Sequence, residues 1–346
     1  MLRAAIVGVG SWGQTLVGSV QGKSEDIRFT RAYTPTPSRA EAFCSSHGIR
    51  LAGSYEEILG DPEVDAVVLA TPNSLHESQV KQAATAEKHV FVEKPFALNS
   101  ASARAALDAA ERAGVTLGVG LNRRFHPSMV ELHRRVTAGE LGTIASMLAE
   151  LTAMTGFHRP AGSWRTRAEE EPAGAMASIG VHLVDAMIWM LGKVTEVQCI
   201  AERRGGPHGQ DTTSLLLRVK SGATGHVFCS VAAARNGRMA AYGTKGFAEV
   251  LTPAMETFRF VPATAERVSH LAPIPRPEVI QTRGFNYVAE ALVQFARSIR
   301  DRRPYPISRE DVLHGVEVLE AAVQSAETGV PVKLKDDLAA ARNKRI

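Results

Sequence analysis

Two groups of residues in this chain are of the kinds that move protons. The stretch "HVFVEKPFAL", residues 89–98, sets Glu93, Lys94 and Pro95 directly after the apolar Val90, Phe91 and Val92. A lysine at the end of a strand can donate to a hydroxyl or carbonyl oxygen of a bound molecule, and its pKa shifts readily on partial burial. Pro95 restricts the backbone there and so aims the side chain. A salt bridge or an exposed turn is the plainer alternative. The second group lies in "MASIGVHLVDAMIWML", residues 176–191, apolar nearly all round except for Ser178, His182 and Asp185. Spacings of four and three put these on one helical face. Buried polar groups must find partners. A histidine with an ordinary pKa of about 6.5 suits proton transfer from a hydroxyl. A core histidine bonded to backbone competes with that view.

A third group binds rather than reacts. "VGVGSWGQT" carries Gly8, Gly10 and Gly13 in G-x-G-x-x-G spacing, with Ser11 and Trp12 between them. The motif ends a first strand and opens a helix, the context that dinucleotide binding requires; a merely tight strand–helix turn is the alternative. Gly8 allows the turn, Gly10 lets backbone approach a pyrophosphate, and Gly13 lets helix and strand pack closely. The phosphates would sit on the helix N-terminus. NAD calls for an acidic residue about 20 positions on, to bond the ribose hydroxyls. That slot holds Thr34, with Ser38 and Arg39 one turn further. A neutral threonine does not repel a 2′-phosphate, so the pattern favours NADP over NAD. Arg39 as a solvated helix residue is the alternative.

These residues need elements to hold them. "RAAIVGVG", "RFTRAYT", "VDAVVLAT", "HVFVEK" and "VTLGVG" read as five strands alternating with helical stretches. Strands apolar throughout, in strict alternation with helices, indicate a parallel sheet covered on both faces. Right-handed crossovers make it doubly wound. After Asn122 the rhythm changes: a helix over 128–138, a long strand, a polar loop, the apolar helix over 176–191, then strands joined by glycine turns such as "KSGATG". The expectation is a Rossmann dinucleotide-binding domain over residues 1–122, and over 123–346 an α+β domain with a large, mainly antiparallel open sheet.

Composition narrows the function classes. The chain has 346 residues, 45% hydrophobic and 22% charged, with a formal net charge of +4 spread along its length. No basic stripe argues for nucleic acid. No apolar run approaches the ~18 residues of a membrane span. "MLRAAIVGVG" carries no signal-peptide pattern. Cys44, Cys199 and Cys229 are too scattered for a disulfide framework or a zinc site, so no metal is expected and a cytoplasmic location is. "ARNKRI" at 341–346 reads as a solvated basic tail. Strands such as "TTSLLLRVK" and "TGHVFCSVAAA" are apolar on both faces in places, with too few helices to cover one face. Such a surface marks an interface, and a homodimer or homotetramer joined through this sheet is expected.

Together the motifs resemble the glucose–fructose oxidoreductase, inositol dehydrogenase and rhizopine-catabolism (Gfo/Idh/MocA) superfamily. The likeness runs nearly end to end: the Gly8/Gly10/Gly13 turn, "ATPNSLH" at 70–76, "EKP" at 93–95, "NRRFHP" at 122–127, "GVHLVD" at 180–185 and the closing "SAETGVPVKL". The resemblance implies that Lys94 and His182 flank a nicotinamide. It also implies that the Lys94–Pro95 bond is cis. His182 would take a proton from a substrate hydroxyl, Lys94 would polarise that oxygen, and hydride would pass to the cofactor, reduction reversing these steps. Thr71, Pro72, Asn73, His76 and Glu93 would shape the cofactor pocket. Arg123, Ser178, Trp164 and Arg165 would meet a sugar, cyclitol or related polyol, the last two from the loop "FHRPAGSWRTR", which also holds His158. Ordinary surface packing is the alternative for that loop. Asp185 would orient the helix. Many relatives carry an aspartate where this chain has Ser178, so proton transfer must be tuned otherwise here. Two other functions stay open: a dehydrogenase of dihydrodiols or other non-sugar substrates, and a non-catalytic dinucleotide-sensing regulator, against which the retained Lys94 and His182 argue.

Overall fold

A computed structural model describes residues 1–160, 162–263 and 275–335. Two compact units emerge: residues 1–125 with 286–316, and residues 126–285 with the chain from 317 on. The domain boundary read from the sequence falls at residue 122, and that reading leaves residues 286–316 in the second domain.

The first unit opens with strand β1 (Leu2–Val7), helix α1 (Ser11–Val20) and β2 (Ile27–Tyr33), followed by α2 (Glu41–Ser46), β3 (Arg50–Leu51) and α3 (Tyr55–Gly60). Then come β4 (Ala66–Leu69), α4 (His76–Thr85), β5 (His89–Val92), α5 (Ser100–Arg112) and β6 (Leu117–Val119). The six strands run parallel in the order β3-β2-β1-β4-β5-β6. This is the doubly wound topology, with its switch point between β1 and β4. All four residues of β4 are buried, as expected of a strand covered on both faces. The helices start where local chemistry allows. Asn99 Oδ1 accepts the Ser102 amide at 2.8 Å to cap α5, and Gly114, in the left-handed region at φ +66°, follows its end. The two-residue β3 and the short α3 were not anticipated, being too brief to show a period.

The second unit holds α6 (Pro127–Thr137), β7 (Ile144–Thr152), α7 (Val181–Leu191) and β8 (Val194–Glu202). Strands β9 (Thr212–Val219), β10 (Thr224–Ser230), β11 (Asn236–Gly243), β12 (Gly246–Leu251), β13 (Thr257–Pro262) and β14 (Glu278–Gln281) complete its main run. Helix α8 (Tyr287–Arg300) then belongs to the first unit, α9 (Arg309–Thr328) follows, and β15 (Val332–Lys333) rejoins the sheet of the second. The nine-stranded order is β14-β13-β12-β11-β7-β10-β9-β8-β15, antiparallel except for the β7/β10 pair. Strand β9 alternates buried and exposed along its length, the mark of a sheet covered on one face. Its buried side carries Leu215 and Leu217. Its open side shows Leu216, which with Leu148, Phe228 and Ile200 leaves four large apolar side chains in solvent. The register sets Arg259, Glu249, Ala240, Leu148, His226 and Leu216 in one row across that open side. Glu249 is fully buried there, paired with Arg238 at 2.7 Å and with Arg259.

Residues 286–316 close the first unit's core. Phe295 of α8 meets Phe91 of β5 edge-on at 5.6 Å, and Tyr305 meets Phe91 at 6.3 Å. Strand β6 passes close beneath them, since a Cβ on Gly118 would lie 3.0 Å from the Phe295 ring. Buried Arg124 pairs with Asp311 at 2.7 Å. Among the described residues, no helix is long and apolar enough to cross a membrane. The basic tail at 341–346 lies outside the described residues.

Candidate active site

In the first unit, the residues singled out by sequence gather at the carboxyl ends of β1, β2, β4 and β5. Gly8 ends β1 at φ +94°, and a Cβ there would lie 2.5 Å from the Ala70 carbonyl oxygen. A Cβ on Gly13 would strike the Gly8 carbonyl at 2.0 Å, whereas one on Gly10 would meet nothing within 4 Å. The turn is therefore closed toward the sheet and open at Gly10. No side chain caps α1 at Gly10, so its first amides remain for a ligand. Trp12 packs its ring on the core and leaves its buried Nε1 without a hydrogen-bond partner. A glycine cradle of this shape accepts a pyrophosphate, and the residues present fit a dinucleotide.

Thr34 follows β2 half-buried, and Ser38 and Arg39 stand exposed in a short 3₁₀ turn. After β4, Thr71 Oγ1 donates to Gln79 Oε1 at 2.6 Å. His76 is fully buried, its Nδ1 bonded to the Pro95 carbonyl at 2.9 Å and its Nε2 set 3.3 Å from the Thr71 carbonyl. It thus ties the loop after β4, with Pro72 and Asn73, to the one after β5. There the buried Glu93 accepts the Lys94 amide at 3.2 Å. Its carboxylate fills the space a side chain at Gly120 would need, as the hypothetical Cβ falls 2.6 Å from Oε1. Lys94 itself is half-buried, and the Lys94–Pro95 bond is cis, as the resemblance implied. Arg123 sits in the 3₁₀ turn after β6, within the first unit.

In the second unit, the helix read as continuous from Met176 starts as a π-turn over Met176–Gly180 and becomes α7 at Val181. Such turns recur at functional sites. Gly180 lets the turn approach β10, since a Cβ there would lie 2.9 Å from Cys229 Sγ. Burial pushes that thiol up to about 12, which leaves it inert as a nucleophile. Ser178, His182 and Asp185 are all buried. The loop before the turn brings two residues that sequence reasoning did not single out. Ser178 Oγ donates to Glu171 Oε2 and accepts from Arg159 Nη2 at 2.7 Å. Arg165, its guanidinium 4.1 Å over the Trp164 ring, stands 3.7 Å from Glu171 Oε1. His158 is exposed; Ala161 in this loop lies outside the described residues. "EEEP" at 169–172 looks like solvated surface, and only its place just ahead of an apolar helix hinted otherwise.

A doubly wound parallel sheet with an open glycine cradle at its switch point is a nucleotide-binding unit of the dehydrogenase type. The comparisons with known proteins agree. Residues 2–121 match the family model described as "Oxidoreductase family, NAD-binding Rossmann fold", and residues 129–249 match the "GFO/IDH/MocA C-terminal domain". The chain belongs to the Gfo/Idh/MocA family of NAD(P)-dependent oxidoreductases. It is similar to a scyllo-inositol 2-dehydrogenase (NAD(+)) of Bacillus subtilis, 28% identical over 96% of both chains. It is also similar to a D-xylose 1-dehydrogenase (NADP(+)) of Haloferax volcanii, 30% identical over 86% of this chain and 89% of that one. An aldose–aldose oxidoreductase structure from Caulobacter crescentus shares the fold with a TM-score of 0.83 at 24% identity, covering 96% of this chain and 99% of that one.

Proposed function

We propose that this protein is a dehydrogenase of a sugar, cyclitol or related polyol, using NADP in preference to NAD. The observation that carries this reading is Lys94, held at the carboxyl end of β5 in the same sheet whose β1 ends in the open glycine cradle. The substrate class is supported by the relatives that act on scyllo-inositol and D-xylose.

Gly8, Gly10, Ser11, Trp12 and Gly13 would hold the pyrophosphate, and Thr34, Ser38 and Arg39 the adenosine ribose. Thr71, Pro72, Asn73, His76 and Glu93 line and brace the pocket. Bound there, a nicotinamide dinucleotide supplies the hydride acceptor. The rest belongs to side chains. The Lys94 ammonium donates to the substrate hydroxyl oxygen and stabilises the alkoxide that develops on it. The His182 imidazole takes the proton. Arg123, Trp164 and Arg165 orient the substrate hydroxyls, and Ser178 stands behind His182 with its hydroxyl held by Glu171 and Arg159. The buried free cysteines fit a reducing compartment, and we place the enzyme in the cytoplasm as a homo-oligomer joined through the open sheet face.

The test is a panel of aldoses, inositols and keto-sugars with each oxidised and reduced nicotinamide cofactor, followed by reduced-nicotinamide absorbance. One substrate class should turn over. Lys94→Ala should lose at least about a thousandfold in kcat, roughly 4 kcal/mol at the transition state, while its cofactor affinity stays unchanged. Tight NADPH binding without turnover of any panel member would instead favour a sensor.

A further inference from the structure

We propose that Glu171 is a positioning residue for His182 and acts through the Ser178 hydroxyl; this rests on the reading of His182 as proton acceptor. The Glu171 side chain is only 6% exposed. A buried carboxylate is costly unless it is paired and hydrogen-bonded. Its Oε2 takes the Ser178 proton, while its Oε1 makes no hydrogen bond and stands 3.6 Å from Arg159 and 3.7 Å from Arg165. Two guanidinium groups thus offset one carboxylate, so the cluster presents no bare negative charge. It orders a hydroxyl.

A serine hydroxyl has one proton and two lone pairs. The proton goes to Glu171, and Arg159 Nη2 occupies one lone pair at 2.7 Å. Toward any third group, Ser178 can act only as an acceptor. His182 lies four residues on, on the same helical face. In the proposed arrangement the His182 ring turns one N–H toward Ser178 and is the donor. That fixes the imidazole tautomer and leaves the other nitrogen as the base.

Glu171 is itself held in place. Buried Thr213 of β9 donates to the Ala173 carbonyl at 2.6 Å, pinning a turn in which Ala173 and Gly174 both adopt positive φ, at 53° and 66°. Arg159 is braced in the same way, its Nη1 donating to the Arg165 carbonyl at 2.8 Å.

The experiment uses the full chain labelled with ¹⁵N-histidine. His182→Gln assigns the His182 ring signals among the 11 histidines, and kcat and KM are measured alongside on the panel substrate turned over fastest. In the wild type, His182 should show one dominant tautomer. Ser178→Ala should move its ring nitrogens toward exchange between tautomers. Glu171→Gln should do likewise, because an amide can donate as well as accept. Ser178→Thr should keep the wild-type signals. Ser178→Ala should lower kcat about tenfold with cofactor KM unchanged, and Glu171→Gln/Ser178→Ala should fall no further, as expected when one residue acts through the other. Unchanged His182 signals in both single variants, or losses that multiply in the double variant, would overturn the proposal. Turnover surviving His182→Gln would sink the function reading instead, while the ring signals still judge the Glu171–Ser178 link.

Discussion

An aspartate at position 34 should reverse the cofactor preference. Thr34 follows the last residue of β2, where a carboxylate would bond ribose hydroxyls and repel a 2′-phosphate. Thr34→Asp should raise the NADP+ KM at least about tenfold, or 1.4 kcal/mol, and leave NAD+ little changed; equal losses for both cofactors would contradict the assignment. His89 gives a second test at this scale. Its Nδ1 accepts the Thr116 amide at 3.0 Å, and burial first of all, against an opposing pull from Asp65, holds its pKa below the ordinary 6.5. As pH falls through 6.5 the unfolded chain takes up the proton before the folded one. Stability should therefore be full above that value and decline below it. Urea midpoints measured from neutral pH down to about pH 5 should drop in the wild type, and the drop should shrink in His89→Asn. Local spacing carries the glycine motif, whereas Lys94 and His182 are by spacing only candidates and their assignment rests on the family resemblance. Glu171 could not be picked out, since a run of three glutamates is the same string whether the fold buries it or leaves it in water.

Among the elements, α8 shows how far a pattern reaches. Leu292, Phe295 and Ala296 form a buried face, and spacing of that kind announces a helix. It does not say which core receives the face, and here the answer is the sheet nearly two hundred residues upstream. Phe295→Ala should cost about 3–5 kcal/mol in urea unfolding, with the Trp12 environment lost in the same transition; a loss under about 1 kcal/mol would mean the Phe91 contact is dispensable. The alternation of apolar strands and helices made the doubly wound sheet plain from sequence. The π-turn at Met176–Gly180 was hidden because one extra residue in a winding barely disturbs hydrophobic periodicity.

For the molecule as a whole, the open face of the nine-stranded sheet is the feature with the largest expected consequence. Leu148, Leu216, Phe228 and Ile200 stand in solvent there, beside a buried glutamate clamped by two arginines. Leu216→Glu should convert a dimer or tetramer to monomer in light scattering at micromolar concentration, with cofactor binding kept; a wild-type chain that is already monomeric would refute the interface. The surface was foreseeable from strands apolar on both sides, its register was not. A different matter follows from residues 286–316 lying in the first unit. During synthesis, the ribosome delivers the six strands of the nucleotide-binding sheet long before it delivers Phe295 and Tyr305, which cover Phe91. At elongation rates of about 5–20 residues per second the interval is on the order of ten seconds. Through that time the nascent sheet keeps an uncovered aromatic face, a natural landing place for a chaperone, and no fragment ending near residue 125 should fold as a soluble nucleotide-binding module.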